Sequence, residues 1–182
     1  TNGVPSQKDI EVKVPDALGG GYLDYPSYSQ LTLLGEKTDS VKSRAVIELK
    51  NQNDPKAKLD PGLKLQDLHD VLEAYGTRVQ LHYVEREPDE GINAFRSSLK
   101  KALSDPTDFM IVNFHGKTMG APTDGHISPV AAYDEKSDSV LLLDVAGYVN
   151  PWYWTPIEHL YRAMHTRDGD KYRGYVVISD IQ

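Results

Sequence analysis

The sequence predicts an α+β fold, with helices in the first part of the chain and an antiparallel sheet in the second. Two segments before residue 105 carry apolar residues at the three-to-four spacing of an amphipathic helix. Further on, an apolar run and two arms around a polar turn indicate strands, two of them joined as a hairpin. Helices and strands that are segregated in this way are typical of the α+β class.

The first 21 residues are predicted to be a flexible or poorly ordered segment, and residues 22–182 a single domain. Apolar and charged residues alternate up to Val14, which predicts one short edge strand before Gly19-Gly20-Gly21 interrupts the pattern. No Gly-Lys-Ser/Thr follows these glycines, so the stretch is not a nucleotide-binding loop. Residues 51–62 are predicted to be a loop by their composition.

The predicted helices are residues 65–75, residues 92–103 and a last helix that begins at Pro156. Gly76 suits the C-terminus of the first helix, and Asp105-Pro106 stops the second. Thr155 and Glu158 have the spacing of a capping box, with proline at the first helical position.

The predicted strands are residues 78–84, 108–114, 126–133, 139–145 and 174–179. The third and fourth form a hairpin, because the polar run Asp134–Asp138 between them suits a turn. Trp152, Tyr153 and Trp154 follow in an aromatic loop. We expect them to anchor this loop to the core, or else to wall a peptide-binding cleft.

The hairpin carries the main candidate site, His126 and Asp144. A turn centred near Glu135 would place these two residues directly opposite each other, with Cβ atoms about 5 Å apart. A carboxylate beside an imidazole fixes its tautomer, which is the arrangement of base and orienter in a nucleophilic triad. Asp144 also ends an apolar run, where an unpaired carboxylate would be costly. The structural alternative is an ordinary hydrogen bond or a surface ion pair.

Two further candidates are weaker. His115, Asp124 and His126 are residue types that suit zinc, but their spacing matches no known ligand pattern, so no metal site is predicted. Arg173, just before the last strand, is a candidate for holding a substrate carboxylate. The alternative for this residue is a surface or ion-paired arginine.

The composition limits the function classes. The 182 residues include no cysteine, which excludes disulfides, thiolate metal sites and a cysteine nucleophile in this chain. The net charge of -7 is spread along the chain without a basic face, which excludes nucleic acid and an anionic membrane surface as partners. No apolar run approaches the roughly 20 residues of a membrane span, so a soluble protein is expected. Because the chain begins with Thr1, any targeting peptide is expected to be already absent, and the compartment is undetermined.

Several motifs together resemble the phytochelatin synthase family. They are Gly125-His126-Ile127-Ser128-Pro129, Ala131-Ala132-Tyr133, Leu143-Asp144-Val145-Ala146 and Arg173-Gly174-Tyr175-Val176-Val177-Ile178-Ser179. The interval of 18 residues from His126 to Asp144 is also similar to that of the family. The resemblance runs from about Gly62 to the C-terminus and extends more loosely back to Tyr22.

The resemblance implies a papain-like fold with a Cys-His-Asp triad, in which His126 is the general base and Asp144 its orienter. The family's cysteine attacks the Cys-Gly bond of glutathione, glycine leaves, and the γ-glutamylcysteinyl group passes to another glutathione or to water. The implied partner is a small thiol peptide such as glutathione. No cofactor is implied, because heavy metals enter mainly as thiolates of the substrate. Relatives of the family can pair, which makes a homodimer an option.

The chain departs from the family at the nucleophile, which remains unknown. The family's Tyr-Cys-Gly helix belongs upstream of Tyr22 and is missing or divergent here, as is the oxyanion-hole glutamine. Gly147 and Asn150 replace an arginine and a tyrosine, and Trp152 replaces a proline. Ser27 and Ser29 lie after the position of the missing helix and have no positional support as substitutes.

Three functions follow, in order of preference. The first is a phytochelatin-synthase-like domain that is inactive alone because this chain lacks the cysteine. The second is a pseudoenzyme that binds a peptide or thiol without turning it over. The third is a His/Asp metal hydrolase.

Overall fold

The computed structural model describes residues 14–15, 22–23, 33–42, 62–145 and 151–179. Most of the predicted N-terminal segment and of the loop at 51–62 lies outside these residues, as do Ser27, Ser29, Gly147 and Asn150. The chain divides into two compact units, Thr1–Pro61 with Asp70–Gly76, and Gly62–His69 with Thr77–Gln182. The single domain over residues 22–182 stays a prediction.

The first unit contains short elements. Strand β1 (Val14–Pro15), at the predicted edge strand, pairs antiparallel with β2 (Tyr22–Leu23). A 3-10 turn at Glu36–Thr38 follows, with Thr38 buried. The Tyr75 hydroxyl donates a hydrogen bond of 2.8 Å to the Leu33 carbonyl and so ties residues within this unit together.

All three predicted helices are present: α1 (Leu65–Ala74), α2 (Pro88–Ser104) and α3 (Ile157–Met164). The predicted capping box at Thr155 is wrong. Thr155 is paired with Val140 in a sheet and is buried, and no side chain caps the N-terminus of α3. Instead, the N–H of Ile157 donates to the Asp138 carbonyl, so the hairpin turn supplies an acceptor for this helix end.

The second unit is built on a six-stranded antiparallel sheet in the order β3-β10-β4-β5-β6-β7. Its strands are β3 (Arg78–Tyr83), β4 (Asp108–His115), β5 (Gly125–Asp134), β6 (Ser139–Leu142), β7 (Tyr153–Pro156) and β10 (Gly174–Ser179). A separate two-stranded hairpin, β8 (Arg167–Asp168) and β9 (Lys171–Tyr172), was not predicted. The mixed helix and antiparallel sheet confirm the α+β class.

Helices α2 and α3 cover one face of this sheet and form the core with it. The largest fully buried side chains here are Phe95, Leu99, Met110, Val112, Phe114, Val140, Leu142, Ile157, Leu160 and Met164. Gly91 of α2 lies against Tyr161 of α3, since a Cβ at residue 91 would fall 1.7 Å from the tyrosine oxygen. No helix in the described ranges is long and apolar enough to cross a membrane.

The hairpin of β5 and β6 contains a β-bulge that decides which side chains meet. Near the turn Tyr133 pairs with Val140, but beyond Ala131 the register shifts, and Val130 pairs with Leu142. Ala131 is the extra residue of the bulge. Without it, the side chains of His126 and Asp144 would point to opposite faces of the sheet, because successive side chains along a strand alternate between the two faces. The prediction that these two residues stand directly opposite each other is therefore wrong, and the bulge brings them to one face on a diagonal.

Candidate active site

His126 and Asp144 form a buried hydrogen-bonded pair on the core-facing side of the sheet. His126 is the second residue of β5, and Asp144 follows the end of β6 by two residues. The His126 Nε2 atom lies 2.8 Å from the Asp144 Oδ1 atom. Their side chains are only 9% and 1% exposed. The ring of Phe114, the β4 partner of His126, packs against the imidazole in a T-shaped arrangement with 5.3 Å between centroids.

The pairing determines the tautomer of His126. An ionised carboxylate only accepts hydrogen bonds, so the ring nitrogen that faces Asp144 must carry the proton. In the neutral ring, the Nδ1 atom then has the lone pair. Among the described residues, none forms a hydrogen bond with Nδ1. The geometry is that of a base held in orientation by a carboxylate, with its basic nitrogen directed elsewhere.

The pair has two neighbours on this side of the sheet: Ser128, which the sequence did not indicate, and Tyr153, which was expected to anchor its segment to the core and does pack against it. Ser128, on the same face of β5, is fully buried and its hydroxyl has no hydrogen-bond partner. Tyr153 of β7 pairs with Leu142 and packs against the core. Burial, and then the charge of Asp144, raise the pKa of the Tyr153 phenol above its usual range. Alternation along β5 and β7 is the signal that would have placed both residues on this side.

Arg173 is a buried, ion-paired arginine rather than a surface one. It is 6% exposed, and its Nη1 atom donates to Asn113 Oδ1 and to Asp168 Oδ2, both at 3.1 Å. Its Nε atom is buried and has no hydrogen-bond partner. The guanidinium lies against Gly125, where a Cβ would fall 3.2 Å from Nη1. A side chain at residue 125 would therefore displace the guanidinium by a few tenths of an ångström.

The metal ligands considered from the sequence do not come together. His115 Nδ1 is hydrogen-bonded to Thr118 Oγ1 at 2.8 Å, and its Nε2 lies 3.7 Å from Asp124. Lys117 pairs with Asp124 at 2.6 Å, and its hydrogen bond is the main cause that lowers the pKa of this carboxyl. Within the described ranges, His115, Asp124 and His126 form no cluster with ligand atoms within 4.8 Å of one another. His115 is paired with Gly125 rather than His126, so its side chain lies on the other face of the sheet.

The aromatic residues in β7 and just before it differ in their burial. Tyr153 turns inward, whereas Trp152 and Trp154 are 68% and 52% exposed. The prediction that the tryptophans anchor this segment to the core is wrong. The segment pairs as an edge strand, and alternation directs Trp154 to the outer face.

The fold and the site together define an α+β domain that holds a buried His-Asp pair at one end of an antiparallel sheet. The model of the family described as phytochelatin synthase matches residues 38–175. The chain therefore belongs to the phytochelatin synthase family, as its motifs predicted.

The curated relatives are larger proteins. Glutathione gamma-glutamylcysteinyltransferase 3 of Lotus japonicus is 32% identical over 99 residues, which are 53% of this chain and 21% of the relative. Glutathione gamma-glutamylcysteinyltransferase of Schizosaccharomyces pombe is 29% identical over 119 residues, 64% of this chain and 28% of the relative. Glutathione gamma-glutamylcysteinyltransferase 1 of Arabidopsis thaliana is 33% identical over 96 residues, 52% and 20% respectively. The chain thus spans less than a third of the length of these relatives.

Proposed function

We propose that this chain is a papain-like domain that binds glutathione or a related γ-glutamyl peptide beside His126 and Asp144, and that it does not transfer the γ-glutamylcysteinyl group by itself. The observation that carries the proposal is the buried pair at 2.8 Å in a chain that has no cysteine. The relatives' names include the γ-glutamylcysteinyl group and glutathione, which supports this ligand class.

In this proposal His126 is the general base and Asp144 is its orienter. The carboxylate holds Nε2–H, so Nδ1 is the atom that accepts a proton from a bound group. Asp144 also stabilises the imidazolium that forms, and it does so effectively because the pair is shielded from water. A cysteine nucleophile must come from outside this chain if a covalent thioester intermediate is to form.

The Ser128 hydroxyl is not a substitute nucleophile in this proposal. It lies two residues from His126 on the same face, but the residue is 0% exposed. An attacking oxygen must reach a substrate carbonyl at about 3 Å. A fully buried hydroxyl at the core side of the sheet does not offer that access.

The guanidinium of Arg173 lies with Asn113 and Gly125, whose side-chain directions are opposite to that of His126. Arg173 is therefore proposed to hold a carboxylate at the end of the ligand that is remote from the His126–Asp144 pair. Nη1 is already used by Asn113 and Asp168, while Nε is buried without a partner. Among the described residues, none hydrogen-bonds Nη2. The Nε–H and Nη2–H groups lie on the same edge of a guanidinium and match the two oxygens of a carboxylate. A ligand oxygen there would satisfy a donor whose burial without a partner is costly.

Calorimetry with glutathione, combined with an assay for released glycine, tests the proposal. We expect binding without glycine release, and binding at least about tenfold weaker for Arg173→Lys, because lysine cannot form the two-pronged contact. The matched control is Arg162→Lys, an exposed arginine paired with Glu158 on the surface of α3. Absence of heat with glutathione and with γ-glutamyl peptides would contradict the binding proposal. Catalytic glycine release would contradict the proposed inactivity.

A further inference from the structure

We infer that the His126–Asp144 pair recognises the thiol group of the ligand and binds it as a thiolate, with the proton transferred to His126 Nδ1. This inference rests on the proposed function and adds to it the group that the pair recognises. In the step, the ligand's S–H bond breaks, an Nδ1–H bond forms, and the electron pair stays on sulfur. No other bond changes and no other reactant is needed.

The charge arrangement favours this step. The Asp144 carboxylate is 1% exposed and touches the Nε2 side of the ring, so a cation on the imidazole is stabilised from that side. An anion on the Nδ1 side would complete an alternating row of carboxylate, imidazolium and thiolate. A free thiol has a pKa of about 8.5, and an adjacent imidazolium lowers it, so the proton transfer is accessible near neutral pH.

The surroundings favour sulfur over a strongly hydrated anion. The ring of Phe114 packs against the imidazole, and the His126 side chain is 9% exposed. A thiolate is large and polarizable, and is more tolerant of an apolar wall than a carboxylate is. Because the chain has no cysteine, no thiol of its own competes for this position.

The alternative is that the pair is only a structural hydrogen bond and that the ligand is held through its carboxylates. The two cases differ in their dependence on sulfur. Glutathione, S-methylglutathione and the analogue with 2-aminobutyrate in place of cysteine have the same charged groups and nearly the same shape. Only glutathione can donate a thiol proton.

The test compares these three ligands by calorimetry on the wild-type chain at pH 7, with the ultraviolet thiolate band recorded on binding. We expect glutathione to bind at least about tenfold more tightly than either analogue, and to show the thiolate band. His126→Gln should abolish both the preference and the band, whereas His115→Gln, whose side chain lies on the opposite face, should keep both.

Equal affinities for all three ligands without a thiolate band would overturn the inference and leave the proposed function standing. Absence of binding by all three would overturn both. Because the ligand comparison uses the wild-type chain, the result does not depend on the folding of any variant.

Discussion

Replacing His126 by leucine should destabilise the chain strongly, because it removes the hydrogen-bonded imidazole from the buried carboxylate of Asp144. The Asp144 side chain is 1% exposed and is 2.8 Å from the imidazole. Breaking such a pair by removing one member costs about 3–5 kcal/mol. The lost contact between Phe114 and the imidazole adds about 0.5 kcal/mol, and the apolar leucine recovers part of the total. We expect a loss of about 3 kcal/mol in the free energy of unfolding.

Urea unfolding at pH 7, followed by tryptophan fluorescence, measures this loss. The double variant His126→Leu/Asp144→Leu also removes the buried carboxylate and should recover at least about 1 kcal/mol of unfolding free energy relative to His126→Leu alone. The control is His115→Leu, because the His115 side chain is 30% exposed. This variant should lower the free energy of unfolding by less than about 1 kcal/mol. If His126→Leu costs no more than this control, the pair is not a coupled buried unit and the reasoning fails.

Two other predictions concern the frame of the site. Asp138 accepts two hydrogen bonds from Arg96, at 2.9 and 2.7 Å, and the Arg96 hydrogen bond is the main cause that lowers the pKa of this carboxyl. The Arg96–Asp138 pair therefore stabilises the fold near neutral pH, and this stabilisation is lost as pH falls through the lowered pKa of Asp138. In urea unfolding, Arg96→Ala should lower the free energy of unfolding by about 1 kcal/mol at pH 7 and by little at pH 2. Gly91→Ala should lower the free energy of unfolding by about 1–3 kcal/mol in thermal or urea unfolding, because the new Cβ would fall 1.7 Å from the buried Tyr161 hydroxyl. The control Gly35→Ala has open space around its Cβ and should be nearly neutral. An equal cost for both glycine variants would show that the packing of α2 on α3 is not the cause.

Periodicity in the sequence was sufficient to locate the helices and the central strands. Helices α1 and α2, and strands β4 and β10, are specified by the spacing of their own apolar residues, which is local information. The last helix begins at Ile157, one residue after the predicted start at Pro156. Thr155 was assigned to its cap because a capping-box pattern cannot show that the threonine is paired with Val140.

The details of the site depended on non-local information. The contact between His126 and Asp144 was expected, but the β-bulge that brings the two side chains to one face was not. The register shift depends on the packing of β5 between its two neighbouring strands, which is not local information. The burial of Arg173 was not evident either. Asn113 and Asp168 reach it from β4 and from the short hairpin of β8 and β9, and two-residue strands have no recognisable period.

Intact-mass spectrometry of the chain after incubation with glutathione distinguishes reversible binding from acyl transfer. One sample is measured under native conditions and a second after denaturation. We expect a complex with the whole of glutathione that is lost on denaturation, leaving the unmodified mass of the chain. A γ-glutamylcysteinyl group that remains attached after denaturation would show that this cysteine-free chain forms an acyl-enzyme, and it would contradict the proposed function.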